Sequence, residues 1–134
     1  EFNDTLSRID VLYDLAFLLM DLEHRRRGDA AARVLSAWLD EVLRTEPEAL
    51  VGFEALPLFL SVRAAVRALV AAAGGDAEAA RAYLAAAEAH LAPPPPRLLA
   101  VGGPSGSGKS TYARAAAPAL GPVPAIVRSD EVRK

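Results

Sequence analysis

Four consecutive prolines, Pro93–Pro96, constrain this chain more than any other feature. Their rings fix φ, remove four backbone donors and bar a helix, so the segment predicts a stiff, extended linker. The two sides differ in pattern. Residues 1–92 carry Ala and Leu at helical spacing, whereas residues 97–134 hold short apolar runs broken by glycine. The expected organisation is a helical domain over 1–92, a proline linker at 93–96 and the start of a second domain over 97–134. A chain of 134 residues has room for one ordinary domain or two partial ones.

In the first part, Ile9, Leu12, Leu15, Ala16, Leu19 and Leu22 recur at helical spacing between Leu6 and Arg27, with Val11, Phe17 and Leu18 on other sides. This predicts a nearly fully buried helix. Arg25, Arg26 and Arg27 suit its C-terminal dipole, and Gly28 reads as its stop. Asp29 is expected to cap a second helix with Val34, Leu35, Trp38 and Val42 inward, ended by Thr45–Pro47. A third is expected over Pro57–Ala73, burying Phe59, Val62, Val66, Leu69, Val70 and Ala73 and stopping at Gly74-Gly75. Asp76 then caps a fourth, whose stripe is Ala80, Tyr83, Leu84, Ala87 and Leu91.

Past the prolines, Leu98–Val101 is a short apolar run suited to a strand buried on both faces. Thr111–Ala117 reads as a helix, Pro118–Pro124 as a loop and Ala125–Arg128 as a second strand. The expected fold class is therefore mainly α with a partial α/β unit, a single β-α-β. A complete domain of that kind needs several more strands, so this part reads as its opening unit.

Between the first predicted strand and its helix lies Gly103-Pro104-Ser105-Gly106-Ser107-Gly108-Lys109-Ser110, which fits Gly, four residues, Gly, Lys and Ser or Thr. A phosphate-rich ligand needs several backbone N–H groups converging on it, hence a tight turn with few Cβ atoms, and the following helix aims its positive end at the anion. Lys109 is expected to reach the β- and γ-phosphates of ATP, Ser110 to bind Mg²⁺ and Thr111 to add a donor near the α-phosphate. A Gly-Ser linker has similar composition, but the strand-to-helix setting favours nucleotide binding. Asp130, after the second predicted strand, is a candidate general base for the transfer and equally a cap for a helix starting at Glu131.

Composition narrows the remaining classes. The formal net charge is −2 and apolar residues make up 52%, which suggests a globular chain with no nucleic-acid or membrane surface. Val11–Leu22 and Leu58–Ala73 read as too short to span a bilayer and carry Asp14, Asp21, Arg63 and Arg67. Cysteine is absent, which excludes disulfides. No secretory leader is read at Glu1, so the cytoplasm is the expected compartment. His24 and His90 lack a second ligand at metal spacing, and Arg63 with Arg67 suggests a solvated face. Asp14 is unusual on an apolar helix, and a narrow exposed strip with Asp10 and Asp21 is its simplest placement.

Glu1-Phe2-Asn3-Asp4 and Arg8–Leu22 resemble the C-terminal helical lobe of aminoglycoside phosphotransferase-like proteins. Gly103–Ser110 with Arg128–Lys134 resembles the AAA-type ATP-binding kinase domain fused to that lobe in a bacterial bifunctional family. The resemblance implies that Asp14 anchors a catalytic loop. It also implies that the lobe's His-Gly-Asp loop and metal-binding Asp precede the segment matching Glu1-Phe2. The second part is similar to small kinases such as polynucleotide kinase, gluconate kinase and chloramphenicol phosphotransferase. That similarity implies Asp130 as the base and Arg133 as a contact to the acceptor. The expected function is ATP-dependent phosphoryl transfer to a small hydroxyl acceptor, with Lys109 and Asp130 as candidate catalytic residues. The alternatives are an ATP hydrolase or nucleotide switch, and a helical interaction module with an inactive loop.

Overall fold

The long periodic stretches fold as helices. In this computed structural model, which describes residues 10–92, 94–121 and 124–129, α1 spans Val11–His24, α2 Gly28–Thr45, α3 Leu56–Ala73, α4 Ala77–Leu91 and α5 Lys109–Ala116. Two 3-10 segments, Pro47–Ala55 and Ala117–Ala119, precede α3 and follow α5.

Local hydrogen bonds set the helix ends. Asp76 Oδ1 accepts from the Ala79 N–H at 2.9 Å, the predicted N-cap of α4. At the end of α3, Gly75 is left-handed with φ 81°. The Asp76 N–H donates to Ala71 O at 2.9 Å, and the Gly75 N–H to Ala72 O at 3.0 Å, which is a Schellman stop. α1 ends in the same way, but not on a glycine. Arg26 takes φ 57°, the Arg27 N–H donates to Leu22 O and the Arg26 N–H to Glu23 O, both at 2.8 Å. Gly28, the predicted stop, instead opens α2, and Asp29, the predicted cap, sits in its first turn behind Arg27 at the N-cap.

Packing groups the chain into two compact units, Glu1–Asp21 with Val51–Pro93 and Leu22–Leu50 with Pro94–Lys134. The second joins α2 to residues beyond the prolines, so packing does not follow chain order.

In the first unit, α3 packs along α4 and buries Leu56, Leu60, Ser61, Ala64 and Ala68 against a face that includes Tyr83 and Ala87. α1 buries Leu12, Ala16, Leu19 and Met20. The predicted stripe of α3 faces outward: Val62, Val66, Leu69 and Val70 are exposed, Leu69 by 71%. The reason is the alanine content of both helices. Ala64, Ala68 and Ala87 let the backbones approach and gain dispersion contacts, whereas a ridge of Val and Leu would hold them apart. Leu84 and Leu91 are likewise exposed, and so are Val11, Phe17 and Leu18, which makes α1 one-sided rather than nearly fully buried.

Arg63 ties α3 to α1. Its Nη2 donates to Asp14 Oδ1 at 3.0 Å, its Nε to Tyr13 O at 3.2 Å, and its guanidinium lies 3.8 Å from the Tyr13 ring centre. Asp14 is exposed, as its strip placement predicts, while Arg63 is largely covered instead of solvated. Arg67 lies 5.5 Å from the Tyr83 ring. The helical stretch Leu50–Ala73, 24 residues with an 18-residue window of mean hydropathy 1.7, is long and apolar enough to cross a membrane by length and composition. It exceeds the run read from sequence because the 3-10 segment joins α3, and it is the one such stretch among the described residues. About 28% of its most apolar 18-residue window is buried, on the face of α3 that carries Leu56, Leu60, Ser61, Ala64 and Ala68.

In the second unit, α2 buries Ala31, Ala32, Leu35 and Leu39, a face rotated from the predicted one and leaving Trp38 half-buried. The predicted β-α-β unit is not formed, and among the described residues there is no strand. Leu98 is 96% exposed, and the Ile126 N–H donates to Ser36 Oγ of α2 at 3.0 Å instead of to a neighbouring strand. A strand buried on both faces needs strands beside it and helices over it, and two four-residue segments supply neither. The mainly α part of the expected class holds. The helix expected from Thr111 starts earlier, at Lys109.

Candidate functional site

Gly103–Ser110 forms a closed turn running into α5. The Ser107 N–H donates to Pro104 O at 3.3 Å. At Gly103, with φ 155°, an added Cβ would stand 2.9 Å from Ser107 Oγ, so a side chain there would crowd the turn. Gly108 is the N-cap of α5 at φ 83°, a left-handed conformation that L side chains rarely adopt. The first helical bond runs from the Tyr112 N–H to Gly108 O at 3.0 Å. The amides of Lys109, Ser110 and Thr111 therefore have no helical carbonyl to bond and converge at the positive end of α5.

Lys109 folds back over the loop. Its Nζ donates to Gly103 O at 2.8 Å and Pro104 O at 2.6 Å. An ammonium has three donors, so one remains for an anion in the turn. The Ser110 hydroxyl makes no hydrogen bond among the described residues and stands one residue further along the same helix start. A cavity of about 400 Å³ opens beside Ser107, Gly108 and Lys109, within the size range of small-ligand sites. Gly103, Pro104, Ser105, Gly106, Ser107, Gly108, Lys109, Ser110 and Thr111 are thus brought together. Asp130 and Arg133 lie outside the described residues.

Mg²⁺ fits the oxygen chemistry of Ser110, which would hold it together with phosphate oxygens of the nucleotide. Among the described residues no group of three or more His, Asp or Glu is placed to hold a metal.

A second cavity, about 840 Å³, lies between α2 and α5 and reaches Ser110. Arg27 and Arg33 line it on the α2 side, Arg114 on α5 and Arg128 on the segment after it, with Asp29 and Asp40 as the carboxylic residues. Asp29 is held below the ordinary carboxylate range, first by the Ala30 N–H and also by Arg27 at 3.4 Å. Asp40 Oδ1 is buried without a hydrogen-bond partner among the described residues. The sequence reading used only the apolar face of α2 and missed this one. The signal was there, because Asp29, Arg33, Ser36 and Asp40 recur every three or four residues and share one side of the helix.

Uncharacterized proteins of two strains of Mycobacterium tuberculosis and of Mycobacterium bovis are each 36% identical to the chain over 140 residues. The alignment covers 100% of this chain and 27% of each relative, so the chain spans little more than a quarter of their length. No family model matches the chain, and no solved structure matches it.

Proposed function

We propose that Gly103–Ser110 binds the phosphates of ATP with Mg²⁺ and serves phosphoryl transfer to a small hydroxyl acceptor, in a cytoplasmic setting where ATP is supplied. The observation that carries this reading is the conformation of Lys109, folded onto the Gly103 and Pro104 carbonyls with the first amides of α5 open beside it. That arrangement brings a cation and several N–H donors to one turn, which suits a polyphosphate. In the transfer, the acceptor oxygen bonds to the γ-phosphorus as the bond to the β-phosphate bridging oxygen breaks. ADP leaves and the hydroxyl proton passes to a base. Lys109 offsets the charge on the transferred group, and Mg²⁺, which Ser110 would hold, would supply further positive charge there.

The test is titration calorimetry with ATP and Mg²⁺. Saturable binding that Lys109→Ala removes or strongly weakens is expected, and unchanged affinity in that variant would reject the loop as the site. ADP release that needs an added acceptor separates transfer from hydrolysis.

A further inference from the structure

We propose that the cavity between α2 and α5 binds a small molecule carrying both an anionic group and a hydroxyl, the acceptor class for the transfer above. Arg33 and Arg114 would hold the anion and Asp40 would accept the hydroxyl's hydrogen bond. The phosphoryl step rests on the loop reading, whereas the binding does not.

Three observations support it. Arginines from three separate segments, the start of α2, α5 and residues 125–128, line one cavity, whereas arginines that only solvate a helix face have no reason to share one. Arg33 and Arg114 have no ion-pair partner among the described residues, while Arg27 is paired with Asp29. Four arginines against two carboxylates leave the cavity cationic. Forked guanidiniums match phosphate and carboxylate oxygens in pairs. Finally, Asp40 also lines the cavity, and its Oδ1 is buried without a hydrogen-bond partner among the described residues, which is costly for a carboxylate oxygen. A ligand hydroxyl at the cavity wall would supply that donor once the Asp40 side chain turns its carboxylate toward the cavity. Ser36 holds the wall in place by accepting from the Ile126 N–H and donating to Ala32 O at 2.6 Å, and the cavity reaches Ser110, which places the ligand beside the phosphate loop.

Glycerol phosphate is the probe, titrated calorimetrically into the full chain, with glycerol and inorganic phosphate as its two halves. Saturable binding of glycerol phosphate is expected, at least about tenfold tighter than either half. Lys109→Ala should leave it within about twofold, whereas Arg33→Gln with Arg114→Gln should weaken it at least about tenfold and leave ATP affinity unchanged. Asp40→Ala should abolish the preference for glycerol phosphate over inorganic phosphate. The Gln pair keeps side-chain length, and unchanged far-UV circular dichroism confirms that it folds. Absence of saturable binding overturns the proposal. So does binding lost in Lys109→Ala but kept in the Gln pair, since the anion would then sit in the loop. ATP failing to bind while the arginine-dependent site persists would instead reject the loop reading and keep this one.

Discussion

The α3–α4 pair and the loop with α5 are both helical, yet they are held by different forces. α3 and α4 bury Leu60, Ala64, Ala68, Tyr83 and Ala87, so their conformation is fixed by packing that excludes water. α5 buries none of its eight residues, and the loop before it is held by left-handed glycines and two hydrogen bonds from one lysine. The loop keeps its donors open because little covers them, and ligand-bearing segments are commonly drawn from the less stable parts of a structure.

The sharpest way to break this comparison is within α3 itself. Leu60 is 4% exposed, so Leu60→Ala removes buried methyl groups and leaves a cavity, at an expected cost of about 2–5 kcal/mol in denaturant unfolding. Leu69, on the predicted but wrong face, should cost no more than about 0.5 kcal/mol as Leu69→Ala. Equal losses would mean that both faces are packed in solution. Next in size is Lys109→Ala. A charge-assisted hydrogen bond to phosphate is worth about 1.5–3 kcal/mol, so ATP affinity should fall by roughly 10- to 150-fold. The unfolding midpoint without nucleotide should stay in place, because Lys109 bonds only to exposed loop carbonyls. A shifted midpoint would show that the loop contributes to stability as the helix pair does.

What the sequence made legible follows the same division. The four long helices were readable because a 3.6-residue period repeats over several turns, and Asp76 was readable as a cap because its chemistry is local. The buried face of α3 was not. Hydropathy favours Val62, Val66 and Leu69, but the close approach of two alanine-rich helices depends on the partner, which no single-helix pattern contains. The strands expected at Leu98–Val101 and Ala125–Arg128 failed for a related reason, since a short apolar run is a strand only when others pair with it. The loop's glycines and Lys109 were legible because their spacing encodes a turn, whereas Arg33 and Asp40 lay on a helix face read only for its apolar side.

The smallest expected effect tests whether helix ends are set locally in both units. Gly75 and Arg26 occupy the same position in two Schellman stops, with φ 81° and 57°. At Gly75 an added Cβ would meet nothing within 4 Å, so Gly75→Ala should cost only the left-handed conformation, about 1 kcal/mol. The reverse change, Arg26→Gly, should not recover the same amount. It relieves a left-handed L residue, but glycine adds roughly 0.4–1 kcal/mol of unfolded-chain entropy, and the arginine's attraction to the end of α1 is lost. A gain of about 0.5 kcal/mol or less is therefore expected from unfolding curves. If Gly75→Ala were neutral, or Arg26→Gly destabilised by more than about 1 kcal/mol, tertiary contacts rather than the stop itself would be holding these turns.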